Sequence, residues 1–295
     1  MNLQSELKTL ICCLFFIIDL LVLYPLFAFL KWNILTNLGM SYRERTAVFS
    51  NRKSNFTLNK LIDKYGDRNL RIADGIPRKL LHITSGLLQL LLVNLVIQDT
   101  YKALQIIVVY QLILIVLSMI SYSSNKIIGL AGLIYGASSR IRDGIDGRKN
   151  IFIVRFSSIN LFCLMFIEQI AKSKIDNKFD FTFFTFFVFL PLTIGDALGE
   201  IIGTTWGKQK LRVWGIGQIN RKSWLGTISV FLGSLLPLLL IVNLNNLSWQ
   251  WWLLSLVIAL TTTAIELIAP RSTDNFFIPI ANGLVCLTFA VNFIP

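Results

Sequence analysis

Eight long apolar stretches dominate this chain of 295 residues and limit what it can fold into. They cover about residues 9–30, 80–97, 103–121, 151–170, 181–201, 224–243, 249–268 and 276–294. Each is close to the roughly 20 residues that a helix needs to cross the hydrocarbon core of a bilayer. Ile127–Ser139 is also apolar but has only 13 residues, so we expect a short re-entrant or interfacial segment there. The sequence therefore predicts an all-α fold, a polytopic membrane helix bundle with about 7–8 transmembrane helices.

The composition excludes the main classes of soluble protein. Hydrophobic residues make up 54% of the chain and charged residues 15%, where soluble domains carry about 25% charged residues. The mean hydropathy is +0.65 and the formal net charge is +12. This combination excludes an ordinary cytosolic enzyme, a disordered chain and a secreted disulfide scaffold. So much Phe, Leu and Ile also argues against a nucleic-acid binder, and we expect no nucleic-acid partner.

The distribution of positive charge predicts how the chain is threaded. If Ile127–Ser139 does not cross, the loops on one side of the membrane sum to +15 and those on the other to +1, with −4 inside the spans. Loops rich in Lys and Arg stay in the cytoplasm, so we expect a multi-pass integral membrane protein with a cytoplasmic active face. A bacterial inner membrane and an organellar membrane fit equally well. The first stretch lacks a basic start and a small-residue cleavage site, so we expect a retained span. Arg43–Arg71 mixes both charges with spaced apolar residues, which favours an interfacial helix and loop.

The first polar cluster lies just before the second apolar stretch, from Asp74 to His82. Pro77 suits the first turn of a helix, so we expect the second span to begin here. Arg78, Lys79 and His82 would then form one patch at a helix N-terminus, where free N–H groups and the helix dipole favour a phosphate. Anchoring of a span end by basic residues is the alternative, but it does not explain the histidine.

The second cluster combines a glycine stripe with two acids. The glycines recur at every fourth position, at Gly195, Gly199, Gly203 and Gly207. Close helix packing explains such a stripe. It does not explain Asp196 and Glu200, because ionisable residues at membrane depth are costly and usually functional. We expect these two carboxylates to bind Mg²⁺ and the bare glycine backbone to let a phosphate approach.

Two further clusters follow on the same predicted face. One is a run of cations with no acid between them, Lys208, Lys210, Arg212, Arg221 and Lys222. With Ser223, this run could clamp a polyphosphate, and an ordinary solvated loop is the alternative. The other comprises Glu266, Asp274 and Asn275, for which a carboxylate site and a plain turn both remain open. Asp143–Arg148 favours a turn.

Taken in order, these motifs resemble the polyprenol kinase family, which includes phytol kinase, dolichol kinase and the CTP-dependent diacylglycerol kinases. The resemblance rests on Arg78-Lys79-x-x-His82, on Gly195-Asp196-Ala197 with Gly203, Gly207 and Lys208, and on Lys222-Ser223-x-x-Gly226-Thr227. Glu266 and Asp274-Asn275-x-x-x-Pro279 are most similar to the phytol and dolichol kinase branch. The resemblance implies two parts of the chain. Residues 1–73 form an N-terminal span with a basic cytoplasmic interfacial segment, and residues 74–295 form a polyprenol-kinase-like membrane catalytic domain.

The resemblance implies a CTP-dependent kinase that phosphorylates a membrane isoprenoid alcohol, with phytol to phytyl phosphate as the expected reaction. It implies Mg²⁺ as cofactor, CTP as donor, and an isoprenoid alcohol, a nucleoside triphosphate and membrane lipid as partners. It further implies that Arg78 and Lys79 contact nucleotide phosphate and that Asp196 is the essential acid. Lys208 and Lys222 would neutralise the developing charge.

Two departures from the family pattern affect these expectations. Relatives often carry Glu where Leu225 stands, so we expect Glu200 or Glu266 to supply any acid needed there. Thr204 and Thr205 stand where relatives often carry cations, which weakens a basic role at that point.

Three alternatives remain open at this point. Dolichol or diacylglycerol could replace phytol as acceptor, and UTP or ATP could replace CTP. A phosphatidate cytidylyltransferase would also use CTP, although an Asp-rich C-terminal signature is missing. An ion-coupled transporter could use Asp19, Asp196, Glu200 and Glu266 as an ion path, but three of these acids cluster at one face and no inverted repeat is visible. The sequence does not indicate the oligomeric state.

Overall fold

The computed structural model describes residues 3–49, 55–92, 100–123, 129–141, 181–216, 219–270 and 273–293. The span expected over 151–170 and the turn expected over Asp143–Arg148 lie outside the described residues. The chain divides into two compact units. One comprises Met1–Ser85 with Val109–Phe156, and the other Gly86–Val108 with Ser157–Pro295. The division that we expect after residue 73 stays a prediction.

All regular secondary structure in the described residues of the first unit is helical. Its segments are α1 (Leu3–Ile18), a π-helical turn (Asp19–Leu23), α2 (Tyr24–Asn37), α3 (Tyr42–Phe49), α4 (Asn55–Tyr65), the first part of α5 (Asp67–Leu91), the last part of α6 (Thr100–Ser123) and α7 (Gly129–Ser138). Buried apolar side chains of α2, α5 and α7, among them Leu35, Ala73 and Ile134, share one core.

Helices α3 and α4 occupy the segment for which we expected an interfacial helix and loop. A capping box starts α3: Ser41 N donates to Glu44 Oε2 at 2.7 Å, and Glu44 N donates to Ser41 Oγ at 3.3 Å. Lys64 Nζ and Tyr65 OH, both from α4, donate to the same carboxylate at 2.9 Å. Although partial burial opposes the shift, these hydrogen bonds lower the pKa of Glu44 to about 2.

A buried ion pair closes the end of α7. Lys31 of α2 is fully buried, and its Nζ lies 2.8 Å from Oδ1 of Asp74 on α5. The same ammonium donates to the carbonyls of Gly136 at 3.1 Å and Ser139 at 2.7 Å. Asp74 also accepts a hydrogen bond from the backbone N–H of Ile141. Carbonyls at the C-terminus of α7 thus meet a cation, which the helix dipole favours.

The start of α5 corrects one expectation. We expected Pro77 to begin a helix, but α5 begins at Asp67 and carries the proline in its interior. The residues before the proline are held by tertiary contacts, because Leu70 and Ala73 are buried in the core and Asp74 is paired with Lys31. We infer that this packing offsets the roughly 3 kcal/mol that an interior proline costs.

The second unit is a bundle of apolar helices. Its main segments are α8 (Phe181–Leu190), a π-helical segment (Pro191–Asp196), α9 (Ala197–Thr205), β1 (Lys210–Trp214), β2 (Ile219–Ser223), α10 (Trp224–Leu244), α11 (Trp249–Ile268) and α12 (Asp274–Phe293). Asn282 of α12 is fully buried and exchanges hydrogen bonds with Thr262 of α11 at 3.0–3.2 Å. It also donates to the carbonyl of Val188 on α8 at 3.4 Å, so one amide joins three helices.

Five helical stretches within the described residues are long and apolar enough to cross a membrane. They are Leu10–Asn37, Phe183–Thr205, Trp224–Leu244, Trp249–Ile268 and Asp274–Asn292. These stretches confirm a helical membrane bundle, and four of them coincide closely with spans expected from residue 181 onward. A shorter apolar helix covers Gln105–Leu117, and α7 takes the place of the expected short segment. A total of seven to eight spans stays a prediction.

The connection between α9 and α10 departs from the all-α expectation. It forms a two-stranded antiparallel hairpin. The register places Lys210 opposite Ser223, Leu211 opposite Lys222 and Trp214 opposite Ile219. Val, Ile and Trp favour strands, but each strand is short and contains several cations, so the sequence did not indicate the hairpin.

Candidate functional site

One lysine faces three carboxylates at the end of the second unit where α10 begins. Lys222 Nζ pairs with Glu266 Oε1, and the two side chains are 32% and 10% exposed. Burial alone would lower the pKa of Lys222, but the carboxylates of Glu266, Asp274 and Asp196 together raise it above its usual value. The sequence placed these four residues on one face. The structure pairs Lys222 with Glu266 and brings the charges of Asp274 and Asp196 near enough to act on the same lysine.

Each carboxylate of this cluster comes from a different helix. Asp196 ends the π-helical segment that leads into α9, Glu266 lies near the end of α11, and Asp274 is the first residue of α12. The sequence allows either a carboxylate site or a plain turn at Asp274 and Asn275. They form the first turn of a helix, where an aspartate is favoured by the helix dipole.

Asp196 and Glu200 are the two acids of the expected magnesium site. Asp196 is buried and Glu200 half-buried, one turn apart, so their Cβ atoms are about 5–6 Å apart. Among the described residues, no group of three or more His, Cys, Asp or Glu side chains is arranged to hold a metal. Mg²⁺ usually takes one or two carboxylates and completes its shell with phosphates and water. Two acids suffice for that arrangement, and metal binding stays a prediction.

The glycine stripe corrects another expectation. An added Cβ would collide with Ser234 at Gly195, with Val230 at Gly199 and with Ser223 at Gly207, and would lie 2.9 Å from Ser223 Oγ at Gly203. All of these neighbours belong to α10 or to the residue that caps it. The stripe therefore allows close helix packing, and the open backbone face that we expected for a phosphate is not found at these four positions.

Ser223 has a structural role that its position in the motif did not indicate. Its hydroxyl caps α10 by accepting from Gly226 N at 3.1 Å and donates to the carbonyl of Gly203 at 3.4 Å. The cap joins the start of α10 to α9. It also fixes the backbone directly after Lys222.

The hairpin divides the basic run that we expected to act as one clamp. Lys208 and Lys210 are exposed, and along β1 the exposed Lys210 and Arg212 alternate with half-buried Leu211. Lys222 lies opposite Leu211 and therefore belongs to the other face of the hairpin. Lys222 meets the carboxylates, whereas Lys210 and Arg212 do not share its face.

Arg78, Lys79 and His82 lie in the interior of α5, in the first unit. Lys79 is buried, and Arg78 and His82 are half-buried. Because α5 begins at Asp67, the free N–H groups of a helix N-terminus are not at this patch. The three side chains keep their i, i+1 and i+4 spacing, and their contact with nucleotide phosphate stays a prediction.

Sequence reasoning missed two buried polar contacts of the first unit. The pair of Lys31 with Asp74 was hidden because a lysine at a span end is ordinary anchoring. Asp19 accepts hydrogen bonds from Ser85 Oγ at 2.8 Å and from Tyr110 OH. An acid inside a span indicates that Asp19 has polar partners, but the sequence did not indicate which residues they are.

Comparison with known proteins found similarity to one type of lipid kinase. Over 102 residues the chain is 28% identical to a phytol kinase of Synechocystis sp.. The aligned region covers 32% of this chain and 40% of the relative. The chain thus spans less than half the length of this curated relative. No family model matches the chain, and no solved structure matches it. The similarity supports, over part of the chain, the resemblance to the polyprenol kinases that the motifs indicate.

Proposed function

We propose that this chain is a lipid-alcohol kinase, which transfers a phosphoryl group from a nucleoside triphosphate to the hydroxyl of an isoprenoid alcohol in the membrane. The observation that carries the proposal is the ion pair of Lys222 with Glu266, to which the carboxylates of Asp274 and Asp196 add their charge. Lys222, Glu266 and Asp274 lie at or just beyond the ends of membrane-length helices, and Asp196 lies within another one. A lipid hydroxyl and a charged water-soluble donor can meet at such a boundary. The partial similarity to a phytol kinase supports the same function.

The residues of the cluster suit the demands of phosphoryl transfer. This reaction depends on positioning and on compensation of the charge spread over the transferred group. In the proposal, Lys222 leaves Glu266 to neutralise that charge, and Asp196 accepts the proton of the alcohol as its oxygen bonds to phosphorus. The bond from that phosphorus to the nucleoside diphosphate breaks at the same time. Asp196 and Glu200 would hold Mg²⁺, which would supply neutralisation of phosphate charge when bound.

The donor and the acceptor are proposed on the resemblance. CTP is the donor and phytol the acceptor, because the closing motif of Glu266, Asp274 and Asn275 is most similar to the phytol and dolichol kinase branch. Arg78 and Lys79 contact the phosphates of the nucleotide in this proposal, and His82 lies on the same patch of α5.

The experiment uses the purified full chain with Mg²⁺ and CTP labelled at the γ-phosphate. We expect label to appear in phytyl phosphate with CDP as the second product. Geranylgeraniol, dolichol and diacylglycerol are offered in parallel, and UTP and ATP replace CTP in a second series. Release of pyrophosphate would instead identify a cytidylyltransferase. No turnover with any acceptor, together with solute flux in liposomes, would refute the kinase in favour of a transporter.

A matched pair of variants tests the central residue. Asp196→Asn keeps the size of a buried side chain but removes its charge, and we expect turnover to fall at least about a hundredfold, as for loss of a general base. Asp63→Asn makes the same change on the exposed surface of α4 and should keep wild-type turnover. Full activity of the Asp196 variant would remove this residue from the reaction.

A further inference from the structure

The hairpin carries an exposed face that the proposed function does not use. We define the basic–aromatic face as Lys210, Arg212 and Trp214 of β1. These residues alternate with half-buried Leu211 and Val213, and successive side chains of a strand point to opposite sides. Trp214 is 86% exposed, an unusual value for so large an apolar ring. The face therefore needs a partner that accepts both cations and an aromatic ring.

Two backbone hydrogen bonds hold the hairpin along the ends of the membrane helices. At its base, Trp224 N donates to Gln209 O at 3.3 Å, where α10 begins. At its tip, Ile216 N donates to Ile268 O at 2.9 Å, where α11 ends. The hairpin is thus fixed beside two helix ends at both of its own ends, rather than projecting away from them.

Exposed tryptophans mark the depth at which these helix ends lie. Trp206 follows α9 and Trp224 begins α10, both beside the hairpin, whereas Trp249 begins α11 at the opposite end. The 20 residues of α11 extend over about 30 Å, which is the thickness of the hydrocarbon core. Tryptophan is enriched at both boundaries of a membrane. Trp214 therefore lies close to the level of the lipid headgroups.

The hairpin itself carries charge of one sign. No acidic residue occurs between Glu200 and Glu266, while Lys208–Lys222 holds five basic residues. Phosphate groups of anionic lipids lie at the same level, and one Lys or Arg near such a surface strengthens binding about fivefold. A tryptophan ring is suited to this boundary because it is apolar with one polar N–H.

We propose that the basic–aromatic face docks on the anionic lipid headgroups of the surrounding membrane. Lys210 and Arg212 bind lipid phosphates, and Trp214 inserts its ring among the headgroups. Docking would steady the hairpin, whose opposite face carries Lys222. This surface lies outside the carboxylate cluster, so its docking does not depend on whether the chain is a kinase.

The experiment reconstitutes the full chain in vesicles of phosphatidylcholine, with phosphatidylglycerol added in steps. The fluorescence difference between wild type and Trp214→Phe isolates the signal of Trp214. Quenching by iodide in water and by a spin label on the lipid headgroup then measures its docked fraction. We expect phosphatidylglycerol to shield Trp214 from iodide and to increase quenching by the headgroup label. The Lys210→Gln/Arg212→Gln variant should weaken this docking equilibrium roughly 25-fold, and added salt should weaken it in the wild type.

Trp249 supplies the matched control, because it is exposed at the opposite end of α11 and no basic residue lies near it in the sequence. The signal lost in Trp249→Phe should respond to the headgroup label equally in both kinds of vesicle. Iodide quenching of Trp214 that ignores phosphatidylglycerol would overturn the proposal. Shielding of Trp214 from iodide by Mg²⁺ and CTP in pure phosphatidylcholine would also overturn it, because the face would then bind nucleotide. A double variant that docks like the wild type would also contradict it.

Discussion

The ion pair between Lys222 and Glu266 predicts unequal effects of removing its two partners. Lys222 is the cation that three carboxylates face, whereas Glu266 is one acid of three. Lys222→Met leaves a carboxylate whose side chain is 10% exposed beside two others of like charge. Removing one partner of a buried pair costs about 3–5 kcal/mol. We expect about 3 kcal/mol here, because the side chain of Lys222 is partly accessible to water.

The opposite change should be milder. Glu266→Gln keeps the size and the hydrogen-bonding oxygen of the side chain, and Lys222 retains Asp196 and Asp274 as neighbours. We expect a cost of about 1 kcal/mol, close to that of one ordinary hydrogen bond, because the amide oxygen can still accept from Lys222. The double variant Lys222→Met/Glu266→Gln should be more stable than Lys222→Met alone, because one uncompensated charge has been removed with its partner.

Thermal unfolding of the purified chain in one detergent measures these differences. A change of 1 kcal/mol corresponds to about 2–4 °C in Tm. We therefore expect Tm to fall by about 6–12 °C for Lys222→Met and by about 2–4 °C for Glu266→Gln. Equal shifts for the two single variants would refute the arrangement of one cation among three acids. A double variant as unstable as the sum of the two would show that the partners do not interact.

Three further predictions concern other contacts. The pKa of Glu44 is lowered from 4.5 to about 2 in the folded state. The stabilisation by its carboxylate is therefore complete above pH 4.5 and is lost as the pH falls towards 2. Glu44→Gln should remove this loss from the acid side of a curve of stability against pH, a change on the order of 1 kcal/mol. Gly199→Ala should lower stability by about 1–3 kcal/mol through collision with Val230, and Val230→Ala should restore part of the loss in chemical denaturation. Lys31→Met should cost about 3–5 kcal/mol because Asp74 stays buried, and an equally unstable Lys31→Met/Asp74→Asn variant would contradict this reason.

Apolar length alone located the long helices of the second unit. The stretches expected over 224–243 and 249–268 became Trp224–Leu244 and Trp249–Ile268. The reason is that a backbone in lipid must satisfy its own hydrogen bonds, which leaves a helix as the outcome for a long apolar run. The start of α5 was less predictable. Pro77 is a reliable start signal when local preference decides, but buried contacts made by the preceding residues decided here.

The candidate site shows a sharper limit of reasoning from charge. Lys210 and Lys222 lie in the same basic run, and composition cannot separate them. They are separated because side chains along a strand alternate between two faces. Lys210 lies on one face of the hairpin, and Lys222, which is opposite Leu211, lies on the other. A loop without this period would allow every cation to turn towards the carboxylates. The two lysines should therefore respond to different variables. Substitution of Lys222 should change stability in any lipid, whereas substitution of Lys210 should matter chiefly where anionic lipid is present.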